Sequence, residues 1–163
     1  MSEPHSGFTP KHPHNHQPLS FPEGFLWGAA TSSHQVEGWN DNNDWWEWEH
    51  LPGKIADGQM SGRVADHYHK YPEDFDIIEQ LSQNAHRLSI EWSRIFPEAG
   101  KINQSEIEHY QNVLKNLKMR GVQTMVTLHH FTNPLWFARL GGFEKKQNID
   151  NFIEYVKAIV PAL

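Results

Sequence analysis

This sequence predicts an α/β fold with a parallel sheet, on three observations. Short apolar runs alternate with helical patterns in the order β-loop-α-β-α-β-loop-α, an alternation that places helices outside a parallel sheet. Each run ends in polar or aromatic side chains, and the sites of open doubly wound sheets and of barrels lie at those strand ends. Neither Gly-x-Gly-x-x-Gly nor a phosphate-cradling Gly-Lys-Ser/Thr follows the first run, which weighs against a nucleotide-binding variant.

Residues 1–20 are rich in Pro, His and Ser without periodicity and read as a disordered tail. His12, His14 and His16 there can capture a metal ion adventitiously. No carboxylate or Cys accompanies them at ligand spacing, so no metal site is expected. Phe25–Thr31 reads as strand one. Residues 32–65 form a long connection holding Gly38, Pro52, Gly53, Gly58 and Gly62, and a loop of that length in a compact domain is usually functional. A helix is expected over Pro72–Leu81, with Pro72 in its first turn, Glu73, Asp74 and Asp76 complementing the dipole, and Phe75, Ile78 and Leu81 buried. Ala85–Trp92 reads as strand two, buried on both faces as parallel strands are. Leu88 and Ile90 point one way and Arg87, Ser89 and Glu91 the other. Ile107, Tyr110, Leu114 and Leu117 recur at helical spacing over 104–120, and Gly121 suits the C′ position. Val122–Leu128 is strand three. A last helix is expected over 148–160, with Ile149, Phe152, Ile153, Val156 and Val160 apolar.

Composition excludes several classes. Lys and Arg are scattered and the net charge is −6, so no basic stripe points to nucleic acid. No run approaches the roughly 18 apolar residues of a membrane helix, and the first 20 residues lack the apolar core of a secretory signal. With no Cys, disulfides and thiolate chemistry drop out, which fits the cytoplasm. Four of the seven Trp residues (Trp39, Trp45, Trp46, Trp48) crowd into one stretch. Such density suits a sugar site, because indole faces pack on pyranose C–H faces. A satellite aromatic core would also account for it.

The strand ends carry the candidate chemistry. Gln35 follows strand one, and its amide can bind two neighbouring hydroxyls at once. Its alternative role is to close a local loop. Arg87 in strand two requires a carboxylate or a dense hydrogen-bond cage, either as a structural salt bridge or to hold an active-site carboxylate ionised. His129 and His130 end strand three and point to opposite faces, one inward and one beneath a helix. Phe131 is a stacking surface or plain core. Glycoside cleavage needs two carboxylates, about 5–5.5 Å apart in a retaining enzyme. Glu37, Glu47, Glu49 and Glu91 are candidates, but none sits in an obviously paired arrangement.

FPEGFLWGAATSSHQVEG (21–38) resembles the N-terminal signature of glycoside hydrolase family 1, the β-glucosidase family. NAHRLSIEWSRIFPEAG (84–100) is similar to the family's second strand and following loop, and TLHHFTNPLWF (127–137) to its third. DWWEWEH and ADHYHKYPEDFDII match segments between them. The resemblance covers residues 21–163, in order. It implies a (β/α)8 TIM barrel, of which this chain holds roughly the first three βα units, and retaining hydrolysis of terminal β-linked glucosides or galactosides without a cofactor. It further implies that Gln35 and His130 bind hydroxyls of the non-reducing sugar, that Arg87 supports the nucleophile, and that Phe131 takes the place of a stacking Trp. His86 stands where Tyr is common and Leu88 where Phe is. The Thr-x-Asn-Glu-Pro and Thr/Ser-Glu-Asn-Gly motifs that carry the family's catalytic Glu residues do not occur. The acid/base and the nucleophile are therefore expected beyond Leu163, with neither in this chain. The chain is accordingly expected to be an N-terminal portion, inactive by itself and prone to self-associate or to need the remaining barrel. A stand-alone carbohydrate-binding module is the alternative.

Overall fold

The structure, a computed structural model, describes residues 20–163. The expected tail, with His12, His14 and His16, lies outside the described residues apart from Ser20. Three strands, β1 (Gly28–Ala30), β2 (Ala85–Ser89) and β3 (Gln123–Thr127), pair in parallel in the order β1-β2-β3. In register, Ala30 faces Arg87 and Arg87 faces Met125. The first connection carries α1 (Ser33–Val36), α2 (Asp44–Glu49) and α3 (His67–Gln80). The second carries α4 (Trp92–Ile95) and α5 (Gln104–Met119), and α6 (Leu135–Arg139) and α7 (Ile149–Ile159) follow β3. The small parallel sheet with helices matches the α/β class expected.

α5 forms where its pattern requires, but Val113 takes the buried place expected of Leu114, which is only partly buried. Ile107, Tyr110, Val113 and Leu117 are buried on one stripe, and Gly121 takes a left-handed φ of +71° just past the cap. There its N–H bonds Lys118 O at 3.0 Å and the N–H of Val122 bonds Leu117 O at 3.1 Å, closing carbonyls that the helix end leaves free. Together with Phe75 and Ile78 of α3 and Leu88 of β2, this stripe builds the core on one face of the sheet. A second part of the same cluster gathers Trp92, Phe137, Tyr155 and Ile159, with Trp92 and Tyr155 stacked at 5.2 Å.

Several boundaries differ from expectation for identifiable reasons. Strand one begins at Gly28 and not at Phe25. Asn84 captures the backbone ahead of it, its Oδ1 accepting from the Trp27 N–H at 2.7 Å and its Nδ2 donating to Phe25 O at 3.0 Å. Strand two stops at Ser89, and Trp92 opens α4. α3 starts five residues before Pro72, so the proline sits inside the helix and removes one backbone donor there. Leu81, expected in the stripe, lies at the helix end and is 64% exposed. In α7 the fully buried residues are Tyr155 and Ile159, while Ile149 and Ile153 are exposed, as is Val160 just past its end. The expected helix continues past α7 as a short 3-10 turn, Val160–Ala162, with Leu163 after it.

Among the described residues the sheet is covered on one face only, which corrects the expectation that strand two is buried on both. His86 and Leu88 point into the core at 4% exposure each. The other face, with Ala85, Arg87, Gln123 and Met125, lines an open cavity of about 270 Å³, and Met125 is 64% exposed. Gly28 also borders this cavity. A Cβ at Gly28 would come within 2.2 Å of Ala85 O, so the close approach of β1 to β2 requires glycine.

Candidate functional site

Period-two alternation along β2 puts Arg87 on the open face, opposite His86 and Leu88. Its Nη2 donates to His130 Nδ1 at 3.2 Å. A guanidinium has no acceptor atom, so His130 must accept at Nδ1 and, when neutral, carry its proton on Nε2, where it can donate to a ligand hydroxyl. Arg87 Nε is buried without a partner, and Arg87 makes no ion pair with a carboxylate among the described residues. His129, the other half of the pair, turns the opposite way. It bonds Asn133 Oδ1 at 3.1 Å and packs against Phe143 and Phe152, the latter on α7.

Phe131 is neither core nor relaxed. It is 40% exposed and has a φ of +55°, a region that side chains bearing a Cβ seldom occupy. The Thr132 N–H bonds His130 O at 2.8 Å across it, so three residues close a tight turn. The ring meets His130 edge-on at 5.3 Å, Trp45 edge-on at 5.3 Å and His34 at 6.1 Å.

Trp45 comes from α2, a helix within the long connection that no local periodicity announces. Asn43 caps it, accepting from the Trp46 N–H at 2.8 Å. Asp44 clamps it to the segment after β3 by accepting from the Asn133 backbone N–H and from Asn133 Nδ2, each at 2.8 Å. Glu49 fixes the far end by accepting from Ser61 Oγ at 2.5 Å. Trp45 and Trp48 project from this clamped helix 42% and 37% exposed, their rings 4.9 Å apart. Trp46 instead stacks on His50 at 4.5 Å. The Trp-rich stretch therefore divides between three exposed indoles, Trp39 and the Trp45–Trp48 pair, and the local packing of Trp46.

Gln35, in α1, is exposed. Its Oε1 accepts from Ser32 Oγ, so the local loop bond is made and the amide NH2 stays available. The neighbouring His34 is buried. Asn43 Nδ2 donates to its Nδ1 at 3.1 Å, and burial holds the ring below its ordinary pKa. Through His34 the Gln35 segment reaches Phe131. Arg87, His130 and Phe131 are thus brought into one contiguous group, with Gln35 adjoining it through a neighbour.

All four carboxylate candidates are engaged elsewhere. Glu37 is buried, pairs with Arg94 Nε at 3.0 Å and accepts from Tyr110 Oη at 2.8 Å. Burial pushes its carboxyl up, opposed by Arg94. Glu91 is fully buried among hydroxyls, and burial raises it likewise. Glu49 binds Ser61, and Glu47 pairs at the surface with Arg139 at 3.2 Å.

These features define an α/β chain that gathers a cationic side chain from within β2 with imidazole and aromatic side chains from the segment after β3. The family model of Glycosyl hydrolase family 1 matches residues 17–163, and the chain belongs to that family. It is 37% identical over 147 residues to β-glucosidase A of Acetivibrio thermocellus, a match covering 86% of this chain and 33% of that protein. It is 39% identical over 147 residues to β-glucosidase 42 of Arabidopsis thaliana, covering 85% and 30%. The solved β-glucosidase from Thermotoga maritima in complex with castanospermine matches with a TM-score of 0.85 at 36% identity, covering 88% of this chain and 34% of that one. The β-glycosidase from Pyrococcus horikoshii gives 0.80 at 42% identity, covering 90% and 34%. The chain spans about a third of the length of the curated relatives it matches.

Proposed function

We propose that residues 21–163 are the N-terminal portion of a (β/α)8 barrel and form one wall of the sugar site of a retaining β-glycosidase acting on terminal β-linked glucosides or galactosides. The observation that carries this is Arg87. A guanidinium on the open face of β2 bonded to His130, with Nε buried and unpartnered, is costly unless a carboxylate completes it, and a nucleophilic Glu beside it would do so. On this reading His130 Nε2–H and the Gln35 amide bind sugar hydroxyls, Phe131 packs on the ring, and the exposed Trp45–Trp48 pair takes a further sugar unit. A site built from such donors rejects a ligand lacking the hydroxyls, because its own polar groups would then lose their partners. The setting proposed is cytoplasmic, which the lack of Cys supports.

Retaining hydrolysis needs a nucleophile and an acid/base, and Glu37, Glu47, Glu49 and Glu91 are all committed to other contacts. Both catalytic groups are therefore proposed to come from sequence beyond Leu163, and the 163 residues alone to be inactive. The test is hydrolysis of an aryl β-glucoside by the purified chain and by the same residues joined to the remaining barrel. Activity is expected only in the second case, and turnover by the 163 residues would refute the assignment. The second reading is a sugar-binding module, favoured by the exposed Trp45–Trp48 pair. It requires the isolated chain to melt cooperatively at a temperature that cellobiose raises.

A further inference from the structure

Glu91 is a buried carboxylate with no ion-pair partner among the described residues. Arg94, nearby, spends its Nε on Glu37 and its Nη2 on Gly38 O. Instead, three hydroxyls donate to Glu91. Ser33 Oγ lies 2.9 Å from Oε2, Ser93 Oγ lies 2.7 Å from Oε1, and Thr132 Oγ1 lies 3.0 Å from Oε2 and 3.3 Å from Oε1. Two of these donors come from other strand ends. Ser33 stands two residues before Gln35, and its backbone N–H also bonds Ser89 Oγ at 2.7 Å. Thr132 stands two residues after His130 and is the residue whose N–H closes the turn over Phe131. A left-handed Phe costs free energy and persists only where its surroundings over-determine it. Thr132, held by Glu91 through its side chain and by His130 O through its backbone, supplies that constraint. For stability alone an apolar residue would fill this interior at lower cost than a carboxylate.

We infer that Glu91 is a positioning residue for the sugar-facing wall: through Thr132 it locks the strained His130–Phe131–Thr132 turn, and through Ser33 the Gln35 segment, into one register on β2. The inference rests on the proposed sugar site and adds the element that aligns its two loops.

The test uses the complete expressed polypeptide, with glucose as the probe. Calorimetry gives its Kd, and thermal melting reports stability for each variant. Thr132→Val removes the hydroxyl at nearly constant shape and is expected to weaken glucose binding by about tenfold or more, the scale of one hydrogen bond to a charged group. Thr132→Ser restores the donor and is expected to restore the affinity. Glu91→Gln loosens Ser33 as well as Thr132 and is expected to weaken binding at least as much as Thr132→Val, and the double variant to do no worse than Glu91→Gln alone, since Thr132 acts through Glu91. Ser93→Ala removes a donor that carries no sugar-facing group and is expected to lower the melting temperature alone. Melting losses in Thr132→Val and Glu91→Gln with unchanged Kd would overturn the inference, as would an equal loss of affinity in Ser93→Ala. A wild-type polypeptide that binds no glucose would remove the sugar site itself, and the alignment role with it.

Discussion

Arg94 holds three groups at once. It pairs with Glu37, donates to Gly38 O at 2.7 Å, and lies 4.4 Å over the Tyr68 ring. Removing one partner of a buried pair strands the other charge, so Arg94→Met is expected to cost about 3–5 kcal/mol in urea unfolding. A loss below about 1 kcal/mol would mean that Glu37 is neutral or rehydrated. His86 makes a second residue-scale prediction. It bonds Thr31 Oγ1 at 3.2 Å, keeps Nδ1 buried without a partner, and packs on Phe75. Burial and the nearby His67 lower its pKa from 6.5 to about 4, and burial with Arg94 does the same for His109. The unfolded chain therefore binds these protons first as pH falls, so stability declines from about pH 6.5 towards about 4. The raised Glu37 and Glu91 act in the opposite sense, since what they contribute is lost as pH rises through their folded values. The difference between wild type and His86→Tyr isolates the histidine. The variant should show a shallower fall in melting temperature between pH 6.5 and 4, and parallel curves would remove His86 from the account.

Among the elements, α2 shows a short helix made rigid by what it touches. Isolated helices of this length are unstable in water; here Asn43, Asp44 and Glu49 tie down both ends. The clamp allows two indoles to stand exposed in a fixed relation. Trp48→Ala is expected to weaken cellotriose binding by about threefold to tenfold in the complete polypeptide while leaving glucose binding unchanged, the scale of one aromatic contact. Equal losses for both sugars would instead assign Trp48 to shaping the wall. This helix is not legible in the sequence, because its clamps lie far away along the chain: Asn133 is 89 residues from Asp44. α5 is legible in its bounds and in most of its stripe, because the apolar spacing and the terminal glycine are encoded locally, though Val113 is buried more deeply than Leu114. α3 and α7 are half legible. Their apolar periodicity is visible, yet which apolar residues face inward depends on the neighbour each helix meets.

On the scale of the whole molecule, the open face of the sheet and the outer edge of β3 dominate. An unpaired parallel edge presents free N–H and C=O groups, and Met125 adds exposed apolar surface beside it. The isolated chain is expected to self-associate with rising concentration in sedimentation experiments, and Met125→Lys to reduce this by placing a charge on that face. A monodisperse wild-type chain at high concentration would argue that the face is already satisfied.

Sequence patterns alone carried the family, the parallel pairing of the strands, and the placing of Arg87 within β2 and of Gln35, His130 and Phe131 in the segments after β1 and β3. Those follow from spacing along single strands and from contiguous motifs, so local alternation is enough to read them. Only the tertiary structure decided that His130 accepts from Arg87, that Phe131 is held at positive φ, and that Glu91 gathers hydroxyls from three segments. It also decided that one sheet face lies open. Ser33 and Thr132 stand 58 and 41 residues from Glu91. No periodic pattern spans such separations, and the contacts arise only when the sheet brings its strand ends together.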